Sequence, residues 1–179
     1  MKWVLAFAGV IVVLVAAAVV LGMLLPRDHV VGRAARIAAP PDSVWRLITT
    51  PSEFPTWRTD LSSVELLPAG QYLAMWREQS RSGSIAMAIE SAEPPRRLVT
   101  RIADTTLPFG GSWEFQVAAD GGDASRVTIT ERGSVYNPIF RVVSRYVMGH
   151  TATIDAYLRA LGHRYGQDVE LASVAVDAR

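Results

Sequence analysis

Two alternating strands joined by a polar turn run directly into a long helical stretch, and that succession limits the folds open to this chain. Gly111-Ser112-Trp113-Glu114-Phe115-Gln116-Val117 alternates large apolar and polar residues, Asp120-Gly121-Gly122-Asp123 is a turn, and Arg126-Val127-Thr128-Ile129-Thr130-Glu131-Arg132 alternates again. Asn137-Pro138 supplies a helix cap and a residue suited to the first helical turn. From there to about Tyr165, the side chains Phe140, Val143, Val147, Ile154, Leu158 and Leu161 recur at helical spacing. Gly149, in the middle of this stretch, is a place for a bend. One greasy stripe on a long helix, arriving straight from a hairpin, must be buried against the face of that hairpin's sheet.

The chain upstream reads as more of the same sheet. His29 to Ala38 is a plausible first strand, stopped by Ala39-Pro40-Pro41. Pro41 to Ile48 then reads as a short helix whose Val44, Leu47 and Ile48 form one apolar stripe. Thr50-Pro51-Ser52-Glu53 has the pattern of a capping box and predicts a second short helix ending near Pro55-Thr56-Trp57. Ser63–Leu67, Gln71–Gln79, Ser84–Glu90 and Arg97–Ala103 read as further strands, separated by Pro- and Gly-containing turns. The expected architecture is α+β: a seven-stranded curved antiparallel sheet wrapped around a long C-terminal helix, with two short helices after the first strand. Residues after Gln167 read as a frayed tail.

The N-terminus is different in kind. Trp3 to Leu25 is an uninterrupted apolar run without charge. As a helix it would be roughly 34 Å long, against a hydrocarbon core of about 30 Å. A cleaved signal peptide is the alternative, with small residues at Ala16-Ala17-Ala18, but the run continues well past them. The expected division is therefore 1–26 as a transmembrane anchor, 27–168 as one globular domain and 169–179 as a disordered tail. The side of the membrane stays open. Arg27, Arg33 and Arg36 favour the cytoplasm, whereas Lys2 on a short N-terminal tail suits an exported signal-anchor. With 18 Lys plus Arg against 17 Asp plus Glu and no basic block, a nucleic-acid partner is not expected. The absence of cysteine excludes disulfides, thiol catalysis and thiolate metal ligation. His29, His150 and His163 form no ligand spacing, so neither a metal nor a cofactor is expected.

The order strand, two short helices, six strands, long helix resembles the SRPBCC superfamily. That group includes START lipid-transfer domains, the birch-pollen-allergen family and polyketide cyclase/dehydrase proteins. The resemblance rests on Ala39-Pro40-Pro41-Asp42-Ser43-Val44-Trp45, Phe54-Pro55-Thr56-Trp57, Gly111-Ser112-Trp113-Glu114-Phe115, Arg126–Glu131, Asn137-Pro138-Ile139-Phe140 and Arg145-Tyr146. It implies a helix-grip fold with a cavity between sheet and C-terminal helix, here on a membrane anchor that the commonest soluble members lack.

Period-two alternation puts Trp113, Phe115 and Val117 on one face, and Val127, Ile129 and Glu131 on one face of the partner strand. With the loop at Asp120 to Ala124, Phe115 lies opposite Ile129 and Glu131 beside Trp113 on the concave side. An inward carboxylate needs a partner. Either it pairs with an arginine such as Arg101 or Arg77 at the rim, or it is a polar handle for a ligand. The opposite wall draws on Met87, Ile89 and one of Met75 and Trp76. The expected cavity set is Trp76, Met87, Ile89, Trp113, Phe115, Ile129, Glu131, Phe140, Val143 and Val147. The first functional expectation is a membrane-anchored, non-enzymatic holder of a hydrophobic small molecule or lipid. The alternative is a polyketide cyclase/dehydrase-like enzyme, with Glu131, His150 and Tyr146 as candidate proton-moving groups.

Overall fold

The computed structural model describes residues 2–176. The N-terminal run forms one helix, α1 (Lys2–Leu24), followed by strand β1 (Asp28–Ile37), helix α2 (Pro41–Ile48) and a 3-10 turn (Pro51–Thr56). Six strands follow: β2 (Leu61–Leu67), β3 (Ala74–Ser80), β4 (Gly83–Glu93), β5 (Arg97–Ile102), β6 (Phe109–Ala119) and β7 (Ser125–Val135). The chain ends in α3 (Pro138–Val143), a π-helical turn (Ser144–Met148), α4 (Ala152–Arg164) and a two-residue strand, β8 (Ala172–Ser173).

All eight strands belong to one antiparallel sheet in the order β2-β3-β4-β5-β6-β7-β1-β8. Each of β2 to β7 pairs with its sequence neighbour, and β1 is brought back beside β7. Register shifts between Leu61 and Ser63 and between Ile89 and Ser91 bend the sheet. Gly111 does the same in β6, with φ of +146°, where a side chain would meet the Arg132 carbonyl. The concave face receives α4 through Ile154, Tyr157, Leu158 and Leu161, all buried. Arg33 of β1 fixes that helix with two parallel bonds to Asp155, Nε to Oδ1 at 2.8 Å and a terminal nitrogen to Oδ2 at 3.0 Å.

Four readings meet differences. The expected single long helix is broken. Gly149, at φ +74° and ψ 147°, ends the π-helical turn, and α4 starts afresh at Ala152. A glycine tolerates that left-handed backbone at no steric cost, so the bend anticipated there becomes a full break. Thr50 forms no capping box; its hydroxyl donates instead to the Arg46 carbonyl, and the segment winds as a 3-10 turn. The sheet has eight strands rather than seven, because Ala172–Ser173 pairs with Arg33 and Ala34. Val169 and Leu171, expected in a loose tail, pack against the core. The last part of that tail, residues 177–179, lies outside the described residues. Other readings match: α2 buries Val44, Leu47 and Ile48, and the Asn137 side chain accepts from the Phe140 amide at 3.1 Å.

The end of α1 is seated on α3. A side chain at Gly22 would overlap the Pro138 backbone, and Arg141 donates to the carbonyls of Gly22, Val135 and Tyr136.

Candidate functional site

The strand registers lay two rows of side chains across the concave face. One row runs Ala74, Ile89, Thr100, Trp113, Glu131 and Val31. Beside it, toward the α3 end, Trp76, Met87 and Ile102 share a row on β3 to β5. Gly133 and His29 continue that end of the sheet on β7 and β1. The hairpin register is the expected one, with Trp113 opposite Glu131 and Phe115 opposite Ile129.

Tyr157 closes the inner end of this face. Its ring meets Trp57, Phe115 and Trp113 at centroid distances of 5.2, 5.4 and 5.6 Å. Phe140 marks the outer end, stacked on Phe109 at 5.6 Å. Between the two lies a strip on which Met87, Ile102 and Trp113 are only half-buried. The break at Gly149 makes this strip: α4 covers the inner half of the sheet, while α3 turns aside to pack on α1 and the end of β7.

A polar cluster stands beside the strip. Glu131 accepts from the Trp113 indole N–H at 2.8 Å and lies 3.2 Å from His29 Nε2. The His29 ring stacks on His150, with centroids 4.2 Å apart. His150 Nδ1 is buried without a hydrogen-bond partner. Burial, then the charges of His29 and Arg145, push the His150 imidazole below its ordinary pKa, with Glu131 pulling the other way. A neutral imidazole offers that nitrogen as a proton or hydrogen-bond acceptor in one tautomer and as an N–H donor in the other.

Gly133 makes room for this cluster. A methyl group there would overlap the His29 ring and press on Glu131. Gly133→Ala is therefore expected to expel the His29 ring, break its contact with Glu131 and destabilise the fold by about 1–3 kcal/mol. Histidine side-chain NMR shifts and a thermal melt check this; unchanged His29 and His150 signals would refute it.

The cavity set expected from sequence is distributed over these zones. Trp76, Ile89, Phe115 and Ile129 are buried in the hydrophobic core around Tyr157, and Trp76, not Met75, is the fully buried neighbour. Met87, Trp113 and Glu131 border the strip, and Phe140 and Val143 are half-buried on α3. Val147 is 78% exposed on the π-helical turn. Tyr146 is exposed as well. Glu131 does not pair with either expected arginine. Arg101 bonds Glu90 and Arg77 bonds Glu65, so its partners are Trp113 and His29. His29, Tyr157 and Gly133 had not been singled out for the site. The available signal was that β1 would have to close the sheet beside the free edge of β7, which sets His29 two positions from the residue facing Glu131. Among the described residues, no group of three or more His, Asp and Glu side chains is arranged to hold a metal ion.

The model of the family described as polyketide cyclase / dehydrase and lipid transport matches residues 28–163. The chain belongs to that family. This membership supports a domain that binds a hydrophobic ligand. A START superfamily protein from Mycobacterium smegmatis superposes with a TM-score of 0.60 at 15% identity, covering 76% of this chain and 97% of that one. Norcoclaurine synthase from Thalictrum flavum gives 0.61 at 12% identity, covering 77% and 94%. A Thermobifida fusca protein solved by NMR gives 0.58 at 21%, covering 76% and 93%. At these identities the likeness is one of fold. No curated protein matches the sequence. The polyketide cyclase / dehydrase and lipid transport domain begins at the first residue of β1 and ends within α4, so α1 lies outside the matched segment.

Proposed function

We propose that this protein is a membrane-tethered holder of an apolar small molecule or lipid, which lies on the concave strip between Tyr157 and Phe140. The observation that carries this reading is the half-burial of Met87, Ile102 and Trp113 on a concave sheet face where the covering helix has been interrupted. Such side chains gain about 25 cal/mol per Å² when a ligand removes them from water. Glu131 and His29, already oriented by Trp113 and by each other, supply a polar handle at one end of the strip. α1 is long and apolar enough to cross a bilayer, although a signal sequence meets the same criterion. Its last turn packs on α3, which sets the outer end of the strip beside the emerging helix. A tether there keeps the opening where apolar ligands are concentrated.

A second reading, proton-transfer catalysis on a bound apolar intermediate, is favoured by one observation: the unpartnered Nδ1 of His150 beside the His29–Glu131 pair. The two readings separate in one experiment. Native mass spectrometry of the detergent-purified full chain is expected to retain an apolar ligand, and a fluorescent fatty probe is expected to bind. Trp113→Ala should weaken the probe about tenfold through lost apolar contact. If neither ligand nor probe binds, the holder reading fails. Turnover of an added polyketide that disappears in His150→Ala would replace it with the enzyme.

A further inference from the structure

The arginines around the end of α1 make a site with no assigned occupant. A cavity of about 80 Å³ lies between α1, the start of β1 and the π-helical turn, lined by Arg27, Asp28, His29, Arg141, Arg145 and His150, with Leu25, Pro26 and Val135 as its apolar wall. That is several times the roughly 10–15 Å³ a single water needs, enough for one phosphate or carboxylate group.

The charges in this cavity do not balance. Arg141 donates to three backbone carbonyls, all neutral partners. Arg27 lies over the Tyr136 ring at 4.6 Å, and among the described residues neither Arg27 nor Arg145 forms an ion pair. Three arginines therefore share the lining with one carboxylate, Asp28, whose Oδ1 accepts from the Ser134 hydroxyl, while Glu131 stands behind His29. One positive charge is left over even with both histidines neutral. The buried Nδ1 of His150 has nothing to bond, and in the tautomer that carries its proton there it is one more donor for an anion. Excess cation, an orphaned ring nitrogen and room for one small group together fit a monoanionic oxyanion.

The location says where such an anion comes from. The cavity wall includes Leu25 and Pro26, directly after the last turn of α1, and Met23, Leu24 and Ile139 around it are exposed apolar side chains. A group bound there would lie at headgroup depth, its hydrocarbon beside α1. We infer that this cavity binds the anionic head, phosphate or carboxylate, of a membrane amphiphile.

The inference rests on the reading that α1 lies in a bilayer; the cavity shares His29 and His150 with the polar end of the strip but needs no ligand on the strip. Its test uses the full chain in nanodiscs of phosphatidylcholine with a minor fraction of phosphatidylglycerol, with native mass spectrometry reading the retained lipids. The acidic lipid should be enriched over its share of the disc. Arg145→Gln and Arg27→Gln should each lower that enrichment about fivefold, as expected for one basic side chain at a charged surface. Both residues are exposed, and Arg145→Lys, as a fold control, should keep most of the enrichment. A parallel arm adds inorganic phosphate to the detergent-solubilised chain and follows the His150 side-chain NMR signal. If phosphate alone shifts that signal while the acidic lipid is not enriched, the membrane amphiphile is overturned as the occupant. If neither happens, the site itself is overturned. A chain that does not enter the nanodisc overturns the bilayer reading of α1, and uptake of an uncharged apolar fluorescent probe in the same samples reports separately on the strip.

Discussion

Tyr157→Ala is expected to destabilise the protein by about 3–5 kcal/mol, the cost of emptying a buried aromatic position. Tyr157 is 7% exposed and is the meeting point of Trp57, Trp113 and Phe115 beneath α4. The Arg58 guanidinium also lies 5.4 Å from its ring centre. For a domain of this size that loss corresponds to roughly 10–15 °C in Tm. The burial that pushes the Tyr157 hydroxyl pKa up keeps it neutral, so no charge accompanies the change. Tyr157→Phe keeps the ring and should cost far less. A thermal melt of the full chain in detergent decides this. A shift of only a few degrees for the alanine variant would mean that the ring is not the wedge between sheet and helix. The same variant carries a functional consequence. Removing the wedge extends the strip inward to Phe115, so a bulkier apolar probe should gain affinity even as the fold weakens.

Glu78→Ala should cost nearly as much, about 3 kcal/mol, because it strands a buried cation. One Glu78 oxygen accepts from Arg58 at 2.8 Å and from the Trp76 indole at 3.0 Å. Both Arg58 and Glu78 side chains are close to fully buried, at 12% and 13% exposure. Asp60, the other partner of Arg58, lies on the surface and recovers only part of the loss. The double variant Arg58→Met/Glu78→Leu, which replaces the pair by apolar volume, should restore most of the stability. Chemical denaturation of the two variants measures the difference. If the double variant is no more stable than Glu78→Ala, the cost comes from packing rather than from an unpaired charge.

These side chains show where sequence reasoning reaches and where it stops. The β6–β7 hairpin is local: once the loop is set at Asp120 to Ala124, alternation alone puts Trp113 beside Glu131 and Phe115 beside Ile129, although a slip of one residue would have reversed the faces. The Asn137 cap and the α2 stripe are equally local. The partner of Glu131 is not. His29 is 102 residues away in the chain and arrives only when β1 closes the sheet beside β7. The Arg33–Asp155 clamp spans 122 residues, and β8 pairs through a terminal tail expected to fray. Even Gly149, visible as a weak point, did not disclose whether the helix would bend or stop. The outcome depended on α3 finding the end of α1 and α4 finding the sheet.

By itself the sequence determined the class of fold, the alternation of faces along each hairpin strand and the apolar N-terminal helix, since these follow from periodicities of two and 3.6 residues and from a long uncharged run. Only the tertiary structure decided which side chains fill the concave face and which leave it open. That depends on contacts between segments more than a hundred residues apart, whose meeting is set by the closure of the whole sheet and not by any local propensity.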